Sequence, residues 1–500
     1  MPRIACLMLI LTVARATATD APLPPAAVEP AVAPGAVAPP AAASPPGEVI
    51  NYGRFGDIAI YRPADGALSR EPRDVVLFLS GDGGWELGVV EMAQHLADKG
   101  ALVAGINVRH YMAEIEKASE KCVSAPVDFE NLSHYLQSKE GIKQYLQPTL
   151  VGYSSGATLA YATLVAAPEL LFKGALSIGF CPDLDLKKPL CKGLGIESTP
   201  RRNAKGVLTG VNYLPARKLG GRWIALQGAR DEVCLATATK KFIGKVPGAE
   251  IVMLPKVGHG YGVPKNWMSQ YEAAYERIVT SAPKARPSVL PVGVADLPLT
   301  EVAAAPGAYK QWFAVFLSGD GGWVGLDRGV AAELASKGIP VVGWDSLRYF
   351  WSPRTPQGAS VDLDRVLRHY ARAWGKPKAL LVGYSQGADT MPFMFNRLPA
   401  ATRGLVGLTA LVGVSESAFF EFHVTHWLGN PDGGLPIAPE MTHWSGAPYL
   451  CLYGEGEDET LCPKLPPSQQ GQSVQMPGGH HFGGSYSEVA DQMLRHLASY

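Results

Sequence analysis

Two pentapeptides of the form G-x-S-x-G stand in this chain of 500 residues, Gly152-Tyr-Ser-Ser-Gly156 and Gly383-Tyr-Ser-Gln-Gly387. A serine hydroxyl is a weak nucleophile near neutral pH. The pattern therefore acquires chemistry only where the serine sits on a sharp strand-to-helix turn beside a base, with glycines that let the turn close. Such a centre also needs an acid and then a histidine further along the chain. After Ser154 come Gln227-Gly-Ala-Arg-Asp231 and Gly258-His259-Gly260; after Ser385 come Tyr453-Gly-Glu-Gly-Glu-Asp458 and Gly479-His480-His481-Phe482. Imidazole Nε2 would take the serine proton while the carboxylate fixes the tautomer through Nδ1. The first set is Ser154, Asp231 and His259. In the second, the spacing leaves Glu457 or Asp458 as the acid and His480 or His481 as the base.

A third element completes each set. Ser80-Gly-Asp-Gly-Gly-Trp85 recurs as Ser318-Gly-Asp-Gly-Gly-Trp323. Its glycines allow backbone N–H groups to face a developing oxyanion, together with the amide after the nucleophile. The expected donors are the amides of Asp82 and Ser155 in one set, and of Asp320 and Gln386 in the other. Asp389 follows Ser385 by one helical turn and has Thr158 as its counterpart. It could meet a cationic substrate group or simply complement the N-terminus of its own helix. Adjacent histidines such as His480 and His481 do not share a helical face, so no metal site is expected, and no cofactor.

These motifs must be carried by strands and helices, and the chain supplies them twice. Apolar runs at residues 75–79, 102–108, 149–152, 174–178, 223–227 and 251–254 read as buried strands, and residues 89–99, 127–137, 157–166 and 267–280 as helices. That alternation predicts two tandem α/β-hydrolase-like domains with mostly parallel sheets covered by helices. Ile58-Ala-Ile-Tyr61 could add an edge strand. The second copy repeats the first in order, through Leu96-Ala-Asp-Lys-Gly100 with Leu334-Ala-Ser-Lys-Gly338 and Arg109 with Arg348. The expected domains are 48–280 and 312–500, joined by a Pro- and Ala-rich linker at 281–311.

Composition bounds the rest. Forty-five basic residues balance 45 acidic ones, which gives no global field toward nucleic acid. Gly and Pro, 55 and 41 residues, are in excess. Pro is densest at 19–47, an Ala/Pro-rich tether that follows an apolar leader with small-x-small cleavage sites, read as a signal peptide at 1–18. Export makes the six cysteines beyond the leader disulfide candidates. Cys451 and Cys462, alone in the C-terminal half, should pair; Cys122, Cys181, Cys191 and Cys234 allow three connectivities.

The second copy, with SGDGGW, WDSLRYFWSPRTP, GYSQGAD and GGHHF in this order, resembles the AcvB/VirJ family of bacterial virulence proteins. The resemblance is close over 312–500 and looser over 50–280. It implies a periplasmic α/β-hydrolase with nucleophile Ser385, acid Asp458 and histidine His480. It further implies hydrolysis of aminoacylated, especially lysyl, phosphatidylglycerol at the membrane surface in one branch, and association with type IV secretion components in the other. The expectation is a serine esterase centred on the second copy, with the first copy positioning substrate or partly degenerate. A non-catalytic secretion adaptor on the same scaffold is the alternative. Gln386 and Gly483-Gly484 depart from the family pattern and bear on substrate choice.

Overall fold

The computed structural model describes residues 48–63, 71–86, 88–193, 195–281, 293–422, 434–465 and 471–497. The leader and the tether lie outside the described residues.

In the first half the strands are β1 (Glu48–Tyr52), β2 (Gly56–Tyr61), β3 (Asp74–Leu79), β4 (Ala101–Ile106), β5 (Thr149–Tyr153), β6 (Gly174–Ile178), β7 (Asp183–Leu184), β8 (Ser198–Arg202), β9 (Leu208–Tyr213), β10 (Arg222–Gly228) and β11 (Glu250–Leu254). The helices are α1 (Gly88–Asp98), α2 (Val108–Lys117), α3 (Ala125–Lys139), α4 (Ser155–Ala166), α5 (Ala236–Ile243) and α6 (Met268–Ser281). Eight strands form one sheet in the order β1-β2-β4-β3-β5-β6-β10-β11. It is parallel from β4 to β11, with β1 and β2 added antiparallel. Every residue of β3 and β4 is buried, as both-sided helix cover requires. The Ile58–Tyr61 segment is not the edge: β1 pairs outside it. Strands β7, β8 and β9 form a small separate sheet inserted before β10.

The second half repeats the plan with β12 (Leu299–Val302), β13 (Trp312–Leu317), β14 (Val341–Trp344), β15 (Lys378–Tyr384), β16 (Val406–Val412), β17 (Ser417–Ala418), β18 (Leu435–Pro436), β19 (Tyr449–Gly454) and β20 (Gly471–Met476). Its helices are α7 (Gly325–Ser336), α8 (Ser346–Phe350), α9 (Pro356–Ala373), α10 (Gln386–Asn396), α11 (Ala400–Arg403), α12 (Ile437–Thr442) and α13 (Tyr486–Leu497). The sheet order is β12-β14-β13-β15-β16-β19-β20. Strand β12 falls inside the stretch read as linker and pairs antiparallel with β14, so part of that stretch belongs to the second sheet. No described helix is long and apolar enough to cross a membrane.

The repeat is tighter than the motifs alone suggest. Trp85 lies on Gly105 and Trp323 on Gly343, and a Cβ on either glycine would collide with the indole. The buried Ser80 and Ser318 hydroxyls accept the N–H of Val108 and Ser346, which ties each glycine loop to the start of the next helix. That register corrects one match: Tyr111 falls opposite Tyr349, so Arg109 falls opposite Leu347 rather than Arg348. Leu347 packs with Tyr145 of the first half and with Phe422. Trp351 stacks on Phe422 and donates its indole N–H to the Ile142 carbonyl at 2.5 Å. The segment that most distinguishes the second copy is therefore where the copies meet.

Three disulfides join Cys122 to Cys191, Cys181 to Cys234 and Cys451 to Cys462. They suit an oxidising compartment.

Candidate active sites

Both candidate nucleophiles stand where a parallel strand turns sharply into a helix. Ser154, between β5 and α4, has φ 54° and Ser385, between β15 and α10, φ 51°, a positive-φ conformation that costs a non-glycine residue about 1–3 kcal/mol and is held by its surroundings. The glycines are sterically required. A Cβ on Gly152 would collide with the Gly156 carbonyl, and one on Gly156 with Ser80; Gly383 and Gly387 meet their counterparts in the same way. The oxyanion loops pass beside the serines: a Cβ on Gly81 would lie 3.2 Å from Ser154 Cβ, and one on Gly319 3.5 Å from Ser385 Cβ.

In the first half the relay is hydrogen-bonded end to end. Ser154 Oγ lies 3.0 Å from His259 Nε2, and His259 Nδ1 lies 2.9 Å from Asp231 Oδ2. Asp231 is buried and accepts three further bonds, from the N–H groups of Val233 and Cys234 and from Gln227 Nε2. The Cys181–Cys234 disulfide braces this turn from the end of β6. Tyr153 donates its hydroxyl to the His259 carbonyl at 2.9 Å, so the tyrosine of the motif holds the histidine loop. Asp231, Cys234 and His259 also bring three ligand-type atoms together, but the sulfur is committed to a disulfide and the other two to the relay. The Asp82 side chain is exposed.

The second half differs at the acid. Glu457 Oε1, not Asp458, meets His480 Nδ1, and the Glu457 Oε2 accepts the Gly454 N–H. Asp458 points to solvent. Glu457 stands three residues beyond Gly454 at the end of β19, as Asp231 stands three beyond Gly228 at the end of β10. Counting from the strand-end glycine would have identified it. Of the two histidines, His480 takes the relay position, while His481 Nδ1 lies 2.8 Å from the Tyr384 hydroxyl. Tyr261 and Phe482, each two residues past its histidine, share a positive φ, 49° and 51°, which fixes the same register. Among the described residues Ser385 makes no side-chain hydrogen bond to His480. The His480 side chain is 41% exposed against 18% for His259.

The two sites differ sharply in charge. Burial works against a charge on His480, but the Glu457 bond and the nearby Asp320 and Asp389 outweigh it and raise its pKa above 6.5. Burial lifts the carboxyl of Asp389 to about 7, against the opposing bond from the Ser415 N–H to its Oδ1 at 2.7 Å. Burial also raises Asp320, Asp327 and Asp345. The main-chain amides of Asp320 and Gly321 oppose that burial effect at Asp320. At the positions of Asp327, Asp345 and Asp389 the first half has Val89, Asn107 and Thr158. Gln386 sends its side chain toward the Phe419 carbonyl at 3.5 Å.

Among solved structures, esterase 2 of Thermogutta terrifontis with propionate bound matches 47% of this chain and 95% of its own, at 16% identity and a TM-score of 0.33. XC6422 of Xanthomonas campestris, an α/β serine hydrolase without a lid, matches 47% and 94% at 16% and 0.30. Est1E of Butyrivibrio proteoclasticus matches 47% and 96% at 12% and 0.29. No curated protein sequence matches the chain. The family model for the bacterial virulence protein VirJ matches residues 73–171 and 311–500, more than half of the chain and parts of both repeats. With two hydrolase-type sheets and a serine elbow in each, this chain belongs to the VirJ family of bacterial virulence proteins.

Proposed function

We propose that this protein is a periplasmic serine esterase that cleaves the aminoacyl ester of aminoacylated phosphatidylglycerol, the lysyl form above all, at Ser385, and that Ser154 is a second esterase centre. The observation that carries the reaction class is the Ser154–His259–Asp231 relay, with both links at hydrogen-bond length. It speaks against a merely degenerate first copy. The same elbow at Ser385, with His480 on Glu457, supports the same chemistry in the second half.

At Ser385 the base is His480. It takes the hydroxyl proton as Oγ attacks the aminoacyl carbonyl carbon, and the Gln386 amide with the 318–323 loop supports the oxyanion. His480 then protonates the departing glycerol oxygen, leaving an aminoacyl-serine. Water, deprotonated by the same imidazole, attacks that ester and releases the amino acid. The acidic surroundings support a cationic acyl group: Asp389 stands one turn from the nucleophile, and at its pKa of about 7 it ionises readily beside an arriving ammonium.

The test supplies lysyl-phosphatidylglycerol in anionic vesicles to the wild type and to Ser385→Ala and Ser154→Ala separately. Free lysine should appear with the wild type and with Ser154→Ala, and fall to background with Ser385→Ala. Undiminished release by Ser385→Ala would overturn the assignment of the nucleophile.

A further inference from the structure

Between the two halves, against the second oxyanion loop, lies a cavity of about 140 Å³ lined by Glu130 and Tyr145 from the first half and by Gly321, Trp323, Asp345 and Arg348 from the second. Glu130 belongs to α3, and its side chain is only 13% exposed. A Cβ on Gly321 would lie 3.2 Å from Glu130 Oε1, so the absence of a side chain at that loop position lets the carboxylate come close. Glu130 Oε1 is buried and has no hydrogen-bond partner. One turn along the helix, His134 is fully buried with both ring nitrogens unpartnered, and its Nε2 faces Glu130 Oε1 from 4.0 Å.

The charges do not balance. His134 cannot serve as a counter-ion, because burial lowers its pKa to about 3. Arg348, the cation lining the cavity, has Asp345 beside it at 3.5 Å. Burial, and after it repulsion from Asp320, raises the Glu130 carboxyl well above the ordinary carboxylate range, so without a cation beside it the neutral form is favoured. Asp320 in turn acts on His480, so the cavity connects electrostatically with the catalytic base through one residue. Buried carboxylates without a cation are costly, and a group that brings a positive charge and N–H donors offsets that cost.

We propose that this cavity is a subsite for a primary ammonium group on the acyl part of the ester cleaved at Ser385, with Glu130 as its acceptor. The first half thereby supplies the side-chain selectivity of the second, which gives the duplication a functional reason. The inference rests on the reading of Ser385 as an aminoacyl-ester nucleophile.

The experiment uses the full chain and two probes that share an α-ammonium and differ in the side-chain one, lysine ethyl ester and norleucine ethyl ester. The wild type should favour the lysine ester by about 10- to 100-fold, mainly through KM, the scale of a hydrogen bond to a charged group. Glu130→Gln should bring the preference to within about threefold, mainly by raising KM for the lysine ester, and Glu130→Asp should retain part of it. Fluorophosphonate labelling of Ser154 reports that the first half of each variant is folded. An unchanged preference in Glu130→Gln, with hydrolysis still dependent on Ser385, would overturn the subsite alone. Should hydrolysis persist in Ser385→Ala, the reading of Ser385 fails, and binding decides the subsite separately. Tighter binding of lysinamide than of norleucinamide to Ser385→Ala, lost on adding Glu130→Gln, supports it; equal binding of the two amides overturns it.

Discussion

Replacing Asp231 by Asn isolates what the first relay does. Its Oδ1 accepts the N–H groups of Val233 and Cys234, and its Oδ2 accepts His259 Nδ1 and Gln227 Nε2. Asparagine has one oxygen to offer. Kept toward the two backbone donors, it turns its NH2 toward His259, which must then accept at Nδ1 and carry its proton on Nε2. That proton faces Ser154 Oγ, and the base is gone. The opposite rotamer turns the NH2 onto two backbone N–H groups and sets donor against donor. A tautomer reversal of this kind costs about 10⁴-fold in rate, or about 5 kcal/mol of transition-state stabilisation. The displaced Gln227 bond costs about 1–3 kcal/mol of stability, which is separable by thermal melting. In a Ser385→Ala background, the second-order rate of fluorophosphonate labelling should fall by about 10³- to 10⁴-fold. A rate within tenfold of the parent, on a folded protein, would refute the triad reasoning for this half.

Three further outcomes follow from the same geometry. Glu457→Gln should reduce turnover at Ser385 by about 10²- to 10⁴-fold, whereas Asp458→Asn should leave it within twofold, as measured by lysine release from lysyl-phosphatidylglycerol vesicles. The pH profile of that turnover should lose activity as pH falls through a value above 6.5, because His480 must be neutral to act and its acidic neighbours raise its pKa; Glu457→Gln should move this limb to lower pH. By linkage, the His480–Glu457 pair stabilises the fold fully below the ordinary histidine pKa, and that stabilisation is lost as pH rises through the raised one. Finally, Cys181→Ser with Cys234→Ser removes a cross-link spanning 53 residues, which should cost about 4 kcal/mol on a chain-entropy model, and should slow labelling of Ser154 by loosening the Asp231 turn.

The repeat, the parallel sheets and both elbows were legible in the sequence because each rests on local rules: apolar runs long enough for buried strands, and glycines where a backbone must pass close by. The spacing leaves the acid of the second half open between Glu457 and Asp458, and the resemblance points to Asp458, whereas Glu457 meets His480. Glu457 and Asp458 are adjacent, and only the register from Gly454, together with glutamate's extra methylene, brings one of them to His480. Arg109 and Arg348 looked equivalent because both follow the same strand, yet the Ser80 and Ser318 pins show them one position apart. The role of Trp351 and Leu347 was not legible at all. A contact between halves leaves no periodicity, and nothing local marks Ile142 and Tyr145 as their partners. Glu130 was missed for the same reason: its significance comes from Gly321, nearly two hundred residues away.

The central claim is that this chain carries two serine nucleophiles, one in each half. Intact-mass measurement after fluorophosphonate treatment tests it most directly. The wild type should gain two adducts, Ser154→Ala one at Ser385, Ser385→Ala one at Ser154, and the double variant none. A wild type that gains no adduct, or labelling that persists in the double variant, would contradict the account.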